Sequence, residues 1–132
     1  MIQTGILNPD LLSLLARIRH TNTLVIADWA FPYWPEVETV DISLTKGFPT
    51  VLQVLEALKP NFKIGKIWQA EQFVTCNTPE TVAQFDQSFG EIPNVVVERL
   101  LHDNFKKLVP GAIGLIRTGD PTAYGNIILE SV

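Results

Sequence analysis

The chain carries a single cysteine, Cys76, so it can form no internal disulfide and no cysteine-based zinc site. Basic residues are also scarce, with ten Lys and Arg against fourteen Asp and Glu and a formal net charge of −4. They are scattered from Arg17 to Arg117 rather than grouped along one face, which argues against nucleic acid as a partner. Apolar runs such as Leu24–Ala27 and Ala112–Ile116 fall far short of the roughly 20 residues a bilayer-spanning helix needs, so no membrane is expected. The apolar stretch Leu11–Ile18 follows Asp10, with no basic residue before it and no small-residue cleavage site after it. No signal peptide is read, and a cytoplasmic location is expected. Neither G-x-x-x-x-G-K-[ST] nor G-x-G-x-x-G occurs, so nothing points to a nucleotide cofactor. Repeats, low-complexity segments and linkers are missing as well.

What is present suits one domain over residues 1–132. The hydrophobic fraction is 46% and the charged fraction 18%, enough apolar material for a core and too much for a disordered chain. Asn8-Pro9-Asp10 predicts a helix start, because Asn8 caps, Pro9 is preset for the first turn and Asp10 complements the dipole. Leu11, Leu12, Leu15 and Ile18 then share a face, carrying the helix to about Arg19. Thr23–Ala27 is a β-rich run without polar alternation, the pattern of a strand covered on both faces. A weaker strand is expected at Thr39–Ile42. Pro49 predicts a second helix, with Val51, Leu52, Leu55 and Leu58 on one side and Pro60 as its stop. Lys63–Trp68 reads as a strand. Thr78-Pro79-Glu80 opens a third helix, capped at Gly90. Further strands are expected at Asn94–Glu98, Ile113–Arg117 and Asn126–Leu129, with a short helix over His102–Leu108. Strands alternating with helices predict a single layered α/β domain, its largely parallel central sheet flanked by helices.

In such sheets ligands gather beyond the carboxyl ends of strands, which singles out Asp28. Its carboxylate either accepts hydrogen bonds from a ligand or satisfies N–H groups of the following turn. His20, after the first helix, reads alone as a charge partner for that helix end. His102, beside Asp103, reads alone as a helix-start or solvated residue. No helix carries His-x-x-x-His or Glu-x-x-His, so no metal is expected. Thr118–Pro121 and Tyr124-Gly125-Asn126 show, as a pattern, only a turn between two strands. Glu71 either reaches a site from the end of the Lys63 strand or is a solvated carboxylate, with the second favoured, and Cys76 reads as a core or surface thiol. Trp29, Phe31, Tyr33 and Trp34 form an aromatic cluster after Asp28. It is either a platform for an apolar sugar face or an interface or loop plug, with the second favoured because aromatics dominate oligomer contacts.

Taken together and in order, several blocks resemble the family of ribose pyranases and fucose mutarotases, over nearly the whole chain. They are Leu7-Asn8-Pro9-Asp10, His20-Thr21-Asn22-Thr23-Leu24-Val25 leading to Asp28, Asp41 to Pro49, Gln53-Val54-Leu55, Arg117-Thr118-Gly119-Asp120, and Tyr124 to Leu129. The resemblance implies a cofactor-independent isomerase of a free monosaccharide, of the D-ribose or L-fucose type. It also implies a ring-shaped homo-oligomer, a pentamer or decamer, with sites at subunit contacts. By position, His20 matches the family's proton donor, and Asp28, His102, Tyr124, Gly125 and Asn126 match its sugar-binding residues. The segment Trp29–Trp34 departs from it, being bulkier than the small and aliphatic residues of the ribose type. Gly125 resembles the fucose type, whereas His102 and the Asp41–Pro49 block resemble the ribose type, so ribose is the leading expectation. The other readings are an L-fucose-type mutarotase exchanging anomers and a non-catalytic sugar-binding or transport-accessory protein.

Opening a pyranose moves one proton off the anomeric hydroxyl and puts another on the ring oxygen. An imidazole, whose ordinary pKa is near 6.5, suits that transfer, and such help typically gives about 10²–10⁴-fold.

Overall fold

The computed structural model describes residues 1–132. Its helices are α1 (Pro9–Ala16), α2 (Val51–Leu58), α3 (Gln72–Cys76), α4 (Pro79–Gly90) and α5 (His102–Leu108). Its strands are β1 (Thr23–Ala27), β2 (Thr39–Asp41), β3 (Ile64–Ala70), β4 (Val96–Leu100), β5 (Gly114–Arg117) and β6 (Ile127–Ser131). The strands form one sheet in the order β2-β5-β1-β6-β3-β4. Pairings β2/β5, β5/β1 and β3/β4 are parallel, and β6 is antiparallel to both its neighbours, β1 and β3. Five strands thus share one direction, as the alternation of strands and helices predicts, and only β6 runs against them.

Both faces of the sheet are covered. On β1, Leu24 and Ile26 enter a cluster of 19 buried residues that also takes Leu11 and Leu14 of α1, Val51, Val54, Leu55 and Leu58 of α2, and Phe85 and Phe89 of α4. Val25 and Ala27 face the opposite side, a cluster of 8 with Phe31, Phe105 and Val109. A run without polar alternation is what such a strand requires. No helix is long and apolar enough to cross a membrane.

Helix boundaries follow their caps. Asn8 Oδ1 accepts from Asp10 and Leu11 N–H, and Thr78 Oγ1 accepts from Thr81 N–H. The second helix does not start at Pro49: Thr50 is its cap, and Thr50 and Gln53 form a reciprocal capping box, which satisfies two free backbone donors at once. The first helix stops at Ala16 rather than Arg19, because Arg17 and Ile18 N–H turn back to the carbonyls of Leu14 and Leu15, and Arg19 N–H is taken by Asn22 Oδ1. Gly90 is the last helical residue of α4, with Glu91 as its cap. The third strand runs on to Ala70 and the fourth begins at Val96, each about two residues later than expected. The five-residue α3 was not anticipated, since it is too short to show a periodic apolar face.

Candidate functional site

Antiparallel β6 starts where β1 ends, so the first residues before β6 meet the last residues after β1. Asp28 N–H donates to Asn126 Oδ1 at 2.7 Å, joining two positions that lie 98 residues apart. Both are buried, at 6% and 3% exposure. The helix α5 opens at the same rim, because β4 beside β3 also ends there. His102 is its first residue, and the His102 backbone N–H donates to Gln72 Oε1 at 3.0 Å.

Asp28, His102, Tyr124 and Asn126 line a cleft of about 350 Å³, together with Trp29, Phe31 and the segment Pro121–Ala123. A larger cleft, about 850 Å³, lies around Lys63, Gly65, Asn94 and Val132 at the other end of the sheet. Volume does not decide between them. The larger cleft's half-buried lysine, Lys59, is already paired with Glu56 and Glu91, whereas the smaller brings the buried Asp28 and Asn126 together with the half-buried His102 and Tyr124, the usual mark of a binding site.

Two groups in the smaller cleft are electrostatically perturbed. Burial pushes the Asp28 carboxyl above the ordinary aspartate range, against the pull of Ala30 and Phe31 N–H and the Asn126 side chain. Asp28 Oδ1 accepts from Ala30 N–H at 3.0 Å. His102 is shifted down, first by burial and then by the charge of Lys106, with Asp103 opposing. Its ring is boxed by Tyr124 (centroids 5.0 Å, nearly perpendicular), Phe105 (6.3 Å, stacked) and Phe31 (6.5 Å, edge-on). Nδ1 is buried there with no hydrogen-bond partner in the chain. The cleft therefore holds an imidazole and a carboxyl group, and burial disfavours the charged form of each. No three or more His, Cys, Asp or Glu side chains are grouped so that they could hold a metal ion.

The turn that precedes β6 is held in an unusual shape. Tyr124 has φ +53°, a left-handed conformation that side chains other than glycine rarely adopt. Gly125 N–H bonds to the Thr122 carbonyl, and a Cβ on Gly125 would come within 3.1 Å of that oxygen. A side chain at 125 would therefore press on the Thr122 carbonyl, which would have to yield by a few tenths of an ångström.

A buried scaffold fixes this rim. Asp120, 3% exposed, accepts Val51 N–H on Oδ2 and Thr122 N–H on Oδ1, both at 2.9 Å. Its carbonyl accepts Trp29 N–H at 2.9 Å, so one residue ties the α2 start, the 122–126 turn and the post-β1 segment together. Thr118 Oγ1 donates to the Ala27 carbonyl at 2.7 Å. The Arg117 guanidinium donates to the carbonyls of Phe31 (2.7 Å) and Pro32 (3.3 Å). These roles of Arg117 and Asp120 are not readable from composition or spacing; the one available signal is their place in a block shared with the family. A Cβ on Gly119 would collide with the Thr45 and Phe48 carbonyls, which explains how the 45–48 loop lies so close.

The aromatic cluster divides. Phe31 is buried and Trp34 packs beside it in the smaller core, whereas Trp29 and Tyr33 are exposed. Glu71 and Cys76 are exposed and outside the cleft. His20 is not brought to the cleft within one chain. It is exposed in the turn before β1, where Thr21 N–H bonds to Ser131 at the far end of β6. The five residues of β1 between His20 and Asp28 span about 16 Å.

Comparison with known proteins gives this arrangement its context. The chain is 40% identical to a D-ribose pyranase of Staphylococcus haemolyticus over 131 residues, covering 99% of this chain and 97% of the relative. A D-ribose pyranase of Geobacillus thermodenitrificans is 38% identical, with 99% and 96% covered. Among solved structures, Bacillus subtilis RbsD complexed with D-ribose superposes with a TM-score of 0.88 at 33% identity, over 99% of this chain and 97% of that one. The fucose mutarotase of Streptococcus pneumoniae, in complex with L-fucose, shares the fold at a TM-score of 0.75 and 19% identity, over 94% and 91%. The model of the RbsD / FucU transport protein family matches residues 1–132 from end to end, and the chain belongs to that family.

Proposed function

We propose that the protein is a cofactor-independent isomerase that interconverts the pyranose and furanose forms of free D-ribose. The observation that carries the proposal is the convergence of Asp28, His102, Tyr124 and Asn126 on one cleft, in a chain whose curated relatives are D-ribose pyranases and whose 33%-identical structural neighbour was solved with D-ribose.

A neutral sugar needs both donors and acceptors. His102, whose charged form burial disfavours, offers a nitrogen to a hydroxyl, the Asn126 amide and Tyr124 hydroxyl offer both kinds of partner, and Asp28 accepts or, when protonated, donates. Reaction begins with a proton delivered to the ring oxygen as its bond to C1 breaks, while the anomeric hydroxyl loses its proton to water and C1 becomes an aldehyde. The C4 hydroxyl then adds to C1, giving up its proton while the aldehyde oxygen takes one and becomes the new anomeric hydroxyl, and the furanose results. No redox change or phosphate is involved.

His20 supplies the ring-oxygen proton, and it does so from a second copy. One chain keeps His20 and Asp28 at opposite ends of β1, a strand about 16 Å long. A site containing both requires the His20 end of one copy to dock on the Asp28 end of the next. Such a head-to-tail contact joins two different patches, and when its rotation closes, it makes a ring. The exposed cysteine suits a reducing, cytoplasmic setting.

The test is exchange between pyranose and furanose anomeric signals of equilibrated D-ribose, measured by NMR with the wild type and His20→Ala. Faster exchange with the wild type and none with the variant supports the proposal. A folded His20→Ala protein with full exchange rates refutes the role of His20. Acceleration of L-fucose anomer exchange without furanose formation would assign the mutarotase activity instead, and binding without acceleration would mark a sugar-binding protein.

A further inference from the structure

We propose that Trp29 is a specificity-determining residue whose indole stacks on the C–H face of the sugar ring, with Lys46 fixing the indole's orientation. The inference rests on the proposed sugar-isomerase reading and deepens it. Trp29 directly follows Asp28 and lines the same cleft, yet it is 48% exposed, so a large apolar surface borders the polar groups that would hold hydroxyls. Its backbone is fixed: Trp29 N–H is bonded to Asp120, Ala30 N–H to Asp28, and the carbonyls of Phe31 and Pro32 to Arg117. The indole thus stands on a rigid base.

Its ring is also held from one side. Lys46 Nζ sits 5.1 Å from the ring centroid, within the range of a cation–π contact, and Lys46 is not among the residues lining the cleft. Lys46 belongs to the 45–48 loop, docked where Gly47 N–H meets the Gly119 carbonyl and Gly119 N–H meets that of Pro49. The Asp41–Pro49 block therefore has a task at the site, as a buttress behind Trp29.

A pyranose chair projects hydroxyls from its rim and C–H bonds from its faces. An aromatic face beside hydrogen-bonding groups matches both at once. Pyranose, furanose and the ring-opening transition state between them keep such a face, so the contact holds them about equally. Removing it weakens binding more than it slows turnover.

The experiment measures KM and kcat for D-ribose ring exchange in the wild type, Trp29→Ala, Trp29→Phe and Lys46→Met, with light scattering and indole emission on each. Trp29→Ala is expected to raise KM about five- to tenfold and to change kcat by no more than about twofold. Trp29→Phe recovers most of that KM loss, and Lys46→Met raises KM by about twofold. Adding D-ribose is expected to change indole emission in the wild type, and that change vanishes in Trp29→Phe although that variant still binds. A wild-type KM in Trp29→Ala, or an unaltered emission change in Trp29→Phe, overturns the proposal. So does loss of activity accompanied by a smaller particle, which would make Trp29 an interface residue. If Trp29→Ala does not fold, the Phe and Lys46 variants decide alone. Failure of the parent reading is recognised separately, because the wild type would then accelerate neither D-ribose nor L-fucose exchange.

Discussion

Two inactive variants, each defective at one end of β1, should restore activity when they share an oligomer. His20→Ala lacks the proton donor but keeps Asp28, and Asp28→Asn keeps His20. If each site takes His20 from one copy and Asp28 from the next, an intact site needs an Asp28→Asn copy giving its histidine to a His20→Ala copy. In a one-to-one random mixture each condition is met half the time, so about a quarter of the sites are intact, and about a quarter of wild-type exchange returns. The separation of about 16 Å along β1 makes the outcome sharp, since a rigid central strand buried on both faces cannot fold back to bring its ends together. The assay is NMR exchange of D-ribose after co-refolding variants that carry different mass tags, with mixed particles verified by native mass spectrometry. Mixed oligomers that stay as inactive as either parent would refute the shared site. Substantial activity in either variant alone would refute it as well.

Other expectations concern the scaffold and its charge states. Because the folded-state pKa of Asp28 is raised, its ionisation opposes folding: the favourable contribution is complete below the unfolded aspartate pKa and is lost as pH rises through the folded value. The melting temperature of Asp28→Asn relative to wild type should therefore increase between about pH 4 and pH 7, and a flat difference across that range would contradict it. His102 has the opposite sign of effect, its folded pKa being lowered, so its contribution is present above the ordinary histidine pKa and lost as pH falls below it. His102→Gln should flatten the loss of stability in acid melts begun near pH 6.5. Arg117→Met removes the donors that hold the Phe31 and Pro32 carbonyls and should cost about 1–2 kcal/mol in urea unfolding, with lowered exchange as the Asp28–Pro32 segment loosens. Gly119→Ala forces the 45–48 loop away from β5; unchanged stability in that variant would show that the loop moves aside freely.

Much of the architecture could be read from residues, and the reasons are specific. Thr23–Ala27 was recognisable because a strand buried on both faces has no polar alternation to disguise it, and Thr78-Pro79-Glu80 announces its helix with three agreeing signals. The start of α2 was harder: Pro49 looks like a first-turn proline, but the reciprocal bonds of Thr50 and Gln53 place the boundary after it. Strand direction was not legible for β6, because Ile127–Ser131 would read the same either way. At the site, Asp28 stood out by ending an apolar strand, whereas Tyr124-Gly125-Asn126 looked like an ordinary turn until the family resemblance assigned it a role. The bond that joins Asn126 to Asp28 crosses 98 positions, and no local pattern encodes it. Arg117 and Asp120 act through backbone carbonyls and amides, which leave no trace in residue spacing.

The single reversed strand also sets an order of assembly. Residues 127–131 lie between β1 and β3, so the three-stranded group β2-β5-β1 and the pair β3-β4 share no pairing until the last strand of the sheet has been synthesised. Before that, both groups present an unpaired edge, the kind of surface on which chains misassociate. Completion of the sheet and of the Asp28–Asn126 contact is thus one event, late in the life of the nascent chain. A chain stalled or truncated ahead of Ile127 is not a shorter version of this protein but two half-sheets with no common core strand.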